Sequence, residues 1–356
     1  FRPNMDITNV IKVLLPFTIA FFSGIAAAPL LTHYLYKYKL WKKNARSEGL
    51  GGGGTPLFHA LHEKKETSVP RMGGIIIWFS ALLTIVGFWL YAVFFPSPMT
   101  EKLNFLSRNQ TWLPLFTLVV ASLVGLVDDF LVILGKGKYK GGGMSLRLRI
   151  VIVLLLGALG AWWFFTKLHM SSVSVPFLGE FDIGLFFIPF FMGTMLAVFS
   201  GGVIDGIDGL AGGVMTSAFL AYAGIAFFQN QIDLAAFSAA IAGGTLAFLW
   251  FNIPPARFYM SETGMLGLTT TLTVIAFLSK EVLLLPLIAF PLFAASVSDI
   301  IQVLSKKMRG GKKVFLIAPI HHHFEARGWP PYKVTMRFWV IGGVMAILGM
   351  VLALIS

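Results

Sequence analysis

Long apolar runs alternate with short polar segments along most of the chain. A helix that crosses the hydrocarbon layer of a bilayer needs about 20 mostly apolar residues. Ten runs meet this length, and each is predicted to be a membrane-spanning helix. They cover residues 10–33, 72–95, 112–134, 148–168, 184–201, 210–228, 234–252, 263–280, 282–304 and 336–355. The boundary between the eighth and ninth runs is the least distinct, because only Lys280-Glu281 separates them.

One segment between the runs follows a different pattern. In residues 170–184 the apolar side chains Val173, Val175 and Phe177 alternate with other residues and precede Gly179. This spacing predicts a small external β-hairpin, for which we favour a role in connection rather than in chemistry. The predicted fold class is therefore an all-α, polytopic membrane helical bundle with one hairpin, and residues 1–356 form a single membrane domain.

The composition agrees with a membrane protein. Hydrophobic residues make up 56% of the chain, the mean hydropathy is +0.79, and only 12% of residues are charged, whereas about a quarter are charged in soluble domains. The chain has no cysteine, which excludes disulfides and thiolate chemistry. The net charge of +12 is typical of basic loops on the cytoplasmic side of a membrane, so we expect no nucleic-acid partner.

The basic residues also predict the orientation. Of the 28 Lys and Arg residues, 22 fall in the four segments 36–71, 135–149, 253–262 and 305–337. Because cytoplasmic loops are enriched in Lys and Arg, these segments are predicted to be cytoplasmic and both termini to lie outside. Met5 is the expected native start. No cleavable signal is evident, so we expect the first apolar run to remain as a span.

Acidic side chains at the ends of the apolar runs are the strongest chemical signal. An ionised carboxylate inside a bilayer costs at least about 2.5 kcal/mol, so such groups need a cation, a cavity or a partner. All of them fall on the predicted cytoplasmic side. Asp205 and Asp208 are three residues apart, which would place them on one face of a helix. The acidic residues concerned are Asp128, Asp129, Asp205, Asp208, Glu262 and Asp299.

Two interpretations of these acidic residues stay open. Several carboxylates at one depth repel each other, and Mg²⁺ relieves this with one or two carboxylates together with substrate phosphates. Alternatively, each carboxylate pairs with a nearby Lys or Arg. We favour the metal–phosphate site because at least five of these acids share one level.

A second polar stretch, residues 318–325, places three consecutive histidines and a glutamate in a loop between two apolar segments. Imidazole can donate or accept a proton or bind a metal near neutral pH, and the cationic side chains on both sides can pair with phosphate. A large anionic substrate would fit such a site, although a basic loop beside a membrane helix is also an ordinary topology signal. Earlier in the chain, Gly73 and Gly74 would allow the backbone to approach another helix or a phosphate.

Several motifs occur in one order along nearly the whole chain. They are Pro70 with Met72-Gly73-Gly74, Asp128-Asp129, Asp205-Gly-x-Asp-Gly-Leu-Ala, Asn252 ahead of Tyr259-Met260 and Thr263-Gly264, and the stretch 296–340 with the three histidines and Gly328-Trp329. In this order they resemble the phospho-N-acetylmuramoyl-pentapeptide transferases, a branch of the polyprenyl-phosphate N-acetylhexosamine-1-phosphate transferases.

The resemblance implies a specific reaction. Phospho-MurNAc-pentapeptide would pass from UDP-MurNAc-pentapeptide to undecaprenyl phosphate, with UMP and lipid I as products and Mg²⁺ as cofactor. It also implies ten helices, a homodimer, and a place in the bacterial cytoplasmic membrane with the active site on the cytoplasmic face beside a lipid groove.

The resemblance also implies residue roles. Glu262 is the leading Mg²⁺ ligand, with Asp205 as a second, and Asp128 and Asp129 orient or deprotonate the lipid phosphate. The remaining assignments are Asp205 and Asp208 to the uridine, sugar or metal-bound waters, Asn252 and Tyr259 to the nucleotide, Gln302, His321, His322 and His323 to the sugar diphosphate, His321 also to catalysis, and Lys65 (or Lys64) to the diphosphate charge.

Some positions depart from the family pattern. Phe199 and Gly202 stand where the family has two asparagines, and Glu262 stands where it has aspartate. These changes put nucleotide contacts and metal geometry in question. The open alternatives are a sister enzyme that uses UDP-GlcNAc, a transporter with an acidic site, or an inactive homologue. Direct attack by the lipid is favoured over a covalent aspartyl-phosphate intermediate, which the sequence leaves open.

Overall fold

The computed structural model describes residues 7–43, 67–107, 110–136 and 142–356. Lys65, Lys64 and Met5 lie outside the described residues, so the predictions for them are not addressed. Within the described part, nine helices are long and apolar enough to cross a membrane, and one bent pair of helices brings the number of spans to ten. The all-α polytopic class is confirmed.

The elements are numbered here in chain order. The helices are α1 (Ile7–Lys37), α2 (Ile75–Phe94), α3 (Pro98–Leu103), α4 (Trp112–Ile133), α5 (Leu146–Lys167), α6 (Phe187–Ser200), α7 (Leu210–Phe228), α8 (Ile232–Asn252), α9 (Ser261–Leu278), α10 (Leu285–Ile288), α11 (Phe290–Met308), α12 (Ile320–Ala326) and α13 (Pro331–Ile355), and the strands are β1 (Ser172–Val175) and β2 (Gly179–Asp182). Short 3₁₀ turns precede α6, follow it, and precede α10.

The predicted ninth span, 282–304, is not one straight helix. The segment Val282–Ile288 meets α11 at a bend of 85°. Pro286 and Pro291 lie near the starts of α10 and α11, and proline fits the first turn of a helix but interrupts a continuous one. The bend therefore follows from the two prolines.

The hairpin predicted in residues 170–184 is confirmed. β1 and β2 pair antiparallel, with Ser172 opposite Asp182 and Val175 opposite Gly179. Glu180 on β2 reaches the end of α9, where its Oε1 lies 2.5 Å from Lys280 Nζ. The hairpin thus marks one end of the bundle, called the hairpin end below.

The opposite end carries the acidic residues and is called the acidic end. Asp128 lies in the last turns of α4, Arg149 in the first turn of α5, Asn252 at the end of α8 and Glu262 at the start of α9. Because successive spans run in opposite directions, the other ends of these four helices meet at the hairpin end.

Helices α8 and α9 form the centre of the bundle, where most of their residues are buried. Close contact with α4 depends on small residues, as in many membrane bundles. A Cβ atom added to Gly267 of α9 would lie 2.1 Å from Ser122 Oγ. The acidic start of α9 is therefore held rigidly among the other helices.

A second acidic group is buried at the hairpin end. The Glu281 side chain is only 7% exposed and its Oε1 lies 3.4 Å from Gln229 Nε2. Burial raises the pKa of this carboxyl group to about 7. A raised pKa in the folded state means that ionisation opposes folding, so this residue's contribution to stability is lost as the pH rises through about 7.

Substitution of Glu281 by Gln tests this assignment. Gln keeps an acceptor for Gln229 but cannot ionise, so Glu281→Gln should unfold at a temperature at least about 2 °C higher than the wild type at pH 8. The advantage should shrink towards pH 5, as measured by thermal unfolding in detergent. Glu101→Gln, at an exposed position of the same end, is the control, and a difference that is the same at every pH would contradict the assignment.

Candidate active site

The first residues of α9 are the point where the acidic groups meet. Asp205 Oδ2 accepts a hydrogen bond from Ser261 N at 2.8 Å. Asp129 Oδ2 accepts from Thr263 N at 2.9 Å and from Thr263 Oγ1 at 2.7 Å. The first N–H groups of a helix have no partner within the helix, and negative charge is favourable there. Both carboxylates thus cap α9.

Two glycines allow the neighbouring segments to come this close. A Cβ atom on Gly125 of α4 would lie 2.2 Å from the carbonyl oxygen of Glu262, and one on Gly74 would lie 2.3 Å from Gly264 N. Of the two glycines named in the sequence, Gly74 meets helix α9, whereas Gly73 lies against Phe258 and Tyr259 in the loop before α9. The absence of a side chain at these positions is therefore what places α2 and α4 against the start of α9.

Arg149 joins two acidic groups from different helices. Its Nη2 lies 2.6 Å from Asp128 Oδ2, and its Nη1 lies 2.5 Å from Glu262 Oε1. Asp128 Oδ1 also accepts a hydrogen bond from Met144 N. A single guanidinium group therefore holds Asp128 and Glu262 together.

Arg71 holds the other member of the aspartate pair. Its Nε and Nη2 donate to Asp129 Oδ1 at 3.1 and 3.0 Å, while Thr263 occupies Oδ2. Asp129 is completely buried, and a buried charge needs such partners. Both oxygens of Asp129 are engaged in protein contacts.

Arginine pairing, as in the second of the two interpretations, is present for three of the carboxylates. Asp128, Asp129 and Glu262 pair with arginine, which leaves one net negative charge on this group. Burial raises the pKa of Asp205 to about 6, so this carboxyl group titrates close to neutral pH and adds a second negative charge when it is ionised. In the described residues no set of three or more His, Asp or Glu side chains has the geometry of a metal site.

Asp205 and Asp208 do not share a helix, contrary to the sequence expectation. They lie in turns between a 3₁₀ segment that ends at Ile204 and the start of α7 at Leu210. Gly209 has a φ of +80°, a left-handed conformation that ends regular helix and favours glycine. Asp208 Oδ2 instead accepts a hydrogen bond from Ala256 N at 3.3 Å.

Asn252 links this turn to the loop before α9, and Tyr259 links the same loop to the segment before α2. Asn252 Oδ1 accepts from Gly209 N and its Nδ2 donates to Phe258 O, both at 2.9 Å. Tyr259 N donates to Pro70 O, and Tyr259 O accepts from Gly73 N, both at 2.8 Å. The Asn252 amide is therefore engaged in holding the site together.

The three histidines lie on a helix, α12, rather than in the predicted loop. Pro319 precedes the first turn and supplies a backbone angle that suits a helix start. His321 and His322 are buried, with ring centroids 4.3 Å apart. Their Nε2 atoms would lie 2.8 and 2.6 Å from a Cβ atom on Gly206. These two imidazoles therefore pack on the turn that carries Asp205.

The other residues assigned to the sugar diphosphate face the chain itself. His323 Nδ1 accepts from Leu316 N at 3.1 Å, and burial lowers the pKa of His323. Gln302 Oε1 accepts from Val314 N and Phe315 N, both at 3.0 Å. These side chains hold the segment that leads into α12, so the structure does not bring them into the carboxylate group.

Comparison with known proteins identifies the family of the chain. Residues 111–280 match the family model for glycosyl transferase family 4. Proteins named phospho-N-acetylmuramoyl-pentapeptide-transferase from Listeria innocua and Anoxybacillus flavithermus are 33% and 34% identical over 342 and 335 residues, covering 93% of this chain and 95% and 94% of theirs. One from Chloroflexus aurantiacus is 34% identical, covering 88% of this chain and 85% of its own. The chain belongs to the phospho-N-acetylmuramoyl-pentapeptide transferase family.

Sequence analysis missed the roles of four residues of the site. Arg71 and Arg149 were counted only as topology signals, Ser261 was not named, and Thr263 was named only as part of a motif. Arginine in the first turn of a membrane span is costly unless it has a partner, so Arg149 carried a usable signal. Ser261 and Thr263 contact the aspartates through main-chain N–H groups, and Thr263 also through its hydroxyl group. A side-chain pattern does not reveal the main-chain contacts.

A double-mutant cycle tests the Arg71–Asp129 pair in this transferase. Arg71→Gln and Asp129→Asn should each lower the unfolding temperature, because each leaves a charge behind in a buried place. The double variant should lose less stability than the sum of the two single losses, with a coupling free energy of about 1–3 kcal/mol. The control is the exposed pair Lys280 and Glu180. The stability losses of Lys280→Gln and Glu180→Gln should add to within about 1 kcal/mol. Additive losses at Arg71 and Asp129 would show that the two side chains do not depend on each other.

A glycine substitution tests the close approach of α4 to α9. Gly125→Ala forces the added methyl against the Glu262 carbonyl, so we expect a loss of about 1–3 kcal/mol in stability. Gly87 of α2 is the matched control, because a Cβ atom there meets nothing within 4 Å and alanine is the better helix former. Equal thermal stability of Gly125→Ala and wild type would be inconsistent with the packing described.

Proposed function

We propose that this protein transfers phospho-MurNAc-pentapeptide from UDP-MurNAc-pentapeptide to undecaprenyl phosphate, producing UMP and lipid I, a precursor of peptidoglycan. The named relatives support the class of reaction. The observation that carries the proposal is the convergence of Asp128, Asp129, Asp205 and Glu262 on the start of α9, together with two guanidinium groups. Such a set of charges suits a reaction between two phosphate anions.

The chemistry requires a lipid phosphate oxygen to attack the β-phosphorus of the UDP-sugar. The new P–O bond forms as the bond to the bridging oxygen breaks, and UMP leaves with that electron pair. Catalysis of phosphoryl transfer consists mainly of positioning and charge stabilisation. A phosphate monoester has a second pKa near ~6, so the nucleophile is largely dianionic at neutral pH. Direct attack without a strong base is therefore our preferred mechanism over an aspartyl-phosphate intermediate.

We assign different roles to Asp128 and Asp129 because their contacts differ. Both oxygens of Asp129 are engaged with Arg71 and Thr263, so we assign Asp129 to holding that guanidinium in the site. Asp128 and Glu262 share one partner, the Arg149 side chain. We assign Asp128 to orienting or deprotonating the lipid phosphate.

Mg²⁺ is part of the proposal, and the oxygen chemistry of the donors supports it. The side chains are oxygen donors, and Mg²⁺ takes one or two carboxylates together with substrate phosphates. Asp128 and Glu262 both bind the cationic side chain of Arg149. The net negative charge of the carboxylate group is compatible with a bound divalent ion. Glu262, with Asp205 as the second residue, would hold the metal. When bound it would neutralise charge on the diphosphate.

The remaining substrate contacts are proposed from the surroundings of the Asp205 turn. His321 and His322 lie against Gly206 and would donate to the sugar diphosphate, with His321 nearest to the chemistry. Tyr259 would stack on the uracil as aromatic side chains do with bases. The other proposed contacts are those of Asp208, Asn252, Gln302, His323 and Lys65, of which Asn252 and Gln302 act through the backbone segments they hold.

The setting of the reaction is also proposed. The described parts of the segments rich in Lys and Arg adjoin the acidic end, so the positive-inside rule supports a cytoplasmic acidic end in the bacterial cytoplasmic membrane. A homodimer remains the expected assembly.

The decisive measurement is UMP release by the purified protein with undecaprenyl phosphate. UDP-MurNAc-pentapeptide should give UMP, UDP-GlcNAc should not, and a chelator should abolish the reaction until Mg²⁺ is returned. Asp128→Ala, Asp205→Ala and Glu262→Ala should each reduce turnover by at least about 10²-fold, because they remove charge that positions the phosphates. Asp233→Asn, at the hairpin end, is the control.

The outcomes separate the candidates. UMP from UDP-GlcNAc alone would move the protein to the sister branch of the family. Near-normal turnover in one alanine variant would refute the role of that residue. No UMP from either donor, with protein that is folded by size-exclusion chromatography and thermal unfolding, would refute the proposed activity.

A further inference from the structure

A cavity of about 340 Å³ opens at the hairpin end, far from the acidic end. Its walls come from the start of α4, the end of α5, the start of α8 and the end of α9. The other ends of these helices carry Asp128, Arg149, Asn252 and Glu262 at the acidic end. A volume of this size falls in the range of ligand sites. The side chains that matter below are Gln110, Lys167, Gln231 and Lys280.

The position of the cavity corresponds to the head-group level of a bilayer. Helix α5 begins at the acidic end and ends with Lys167 after 22 residues, a rise of about 33 Å that matches the hydrocarbon thickness. Trp162 and Trp163 lie one turn before its end, and Trp112 begins α4. Tryptophan is enriched at the boundary between lipid and water. Lys167 Nζ lies 5.9 Å from the centroid of the Trp162 ring.

The charge at the cavity is positive. Lys167 and Lys280 both line it. The Lys280 amine is paired with Glu180, so one positive charge remains when the three side chains are counted together. A phosphodiester carries one negative charge, and charged amines bind phosphate oxygens strongly. The cavity therefore matches the charge of a monoanionic phosphodiester.

One wall of the cavity also requires a hydrogen-bond donor. Gln231 Nε2 donates to Leu278 O at 3.2 Å, whereas its Oε1 is buried and accepts no hydrogen bond from any described residue. Leaving a buried acceptor unsatisfied costs about 1–3 kcal/mol. A hydroxyl group on the ligand would satisfy it. Phosphate and hydroxyl together are the features of a phosphoglycerol head group.

An apolar path for acyl chains leads away from the cavity. Val151, Leu155, Leu159 and Trp162 follow one face of α5 at helical spacing, and each side chain is about half exposed or more. This stripe ends one turn before Lys167. A lipid whose head group occupies the cavity would lay its chains along this face.

We propose that the cavity at the hairpin end is a binding site for an anionic glycerophospholipid with a hydroxyl-bearing head group, such as phosphatidylglycerol. Lys167 and Lys280 bind the phosphodiester, and Gln231 accepts from the head-group hydroxyl. This site lies at the opposite surface of the bundle from the carboxylates, and it does not depend on the transfer reaction.

Native mass spectrometry of the delipidated full-length protein tests the charge. Phosphatidylglycerol should bind with higher affinity than phosphatidylcholine with the same acyl chains. Because one lysine near a lipid surface is worth about fivefold in binding, Lys167→Gln with Lys280→Gln should lower phosphatidylglycerol affinity at least about fivefold. Lys102→Gln, an exposed lysine of the same end outside the cavity, should not. Equal affinity for the two lipids, or an equal loss in Lys102→Gln, would overturn the proposal.

A comparison with phosphatidylmethanol tests the contribution of the head-group hydroxyl to binding, because phosphatidylmethanol has the same phosphodiester charge without that donor. The wild type should prefer phosphatidylglycerol over phosphatidylmethanol, and Gln231→Leu should remove this preference while still binding both. Soluble glycerophosphoglycerol should bind far more weakly than the lipid. Equal binding of the soluble head group, or an unchanged preference in Gln231→Leu with an unfolding temperature like that of the wild type, would contradict a lipid site.

Discussion

Charge balance at the start of α9 is the constraint that the rest of the site depends on. Three carboxylates from two helices share two guanidinium groups. The N–H groups of Ser261 and Thr263 donate hydrogen bonds to Asp205 and Asp129. Interactions between charges strengthen as water is excluded, and desolvation makes any unpaired charge costly. The same arrangement therefore gives rigidity in the absence of substrate and a strong local field for anions.

The packing of the bundle positions the residues of this charged group. Helix α9 is enclosed by other helices, and Gly125 lets α4 approach its backbone so closely that no side chain fits between them. Gly74 does the same for the start of α2. Since lipid provides no hydrophobic force between helices, such close contacts supply dispersion energy in its place. The distances in the site are thus set by backbone contact, which varies little.

Much of the fold could be predicted from hydrophobic runs, because ~20 apolar residues have few alternatives in a bilayer. The bend at Ala289 was missed because a run of apolar residues looks the same whether straight or broken. The carboxylates could be predicted as a group from their depth. Their partners could not, because Arg149 lies 113 residues from Glu262 in the chain. The histidine helix was predicted as a loop, since its polar residues are buried by contact with the turn at Gly206 and not by a helical apolar pattern.

The departures from the family pattern acquire a physical meaning at this site. Phe199, at an expected asparagine position, lines a cavity of only about 10 Å³ together with Asp128, Arg149 and Glu262. That volume is enough for about one water molecule, so the cavity as it stands is too small for a diphosphate. An apolar ring beside the Arg149 bridge also excludes water and strengthens the bridge. Under the proposed function, a substrate phosphate would compete with Asp128 and Glu262 for Arg149, because charge-assisted hydrogen bonds from guanidinium to phosphate are strong.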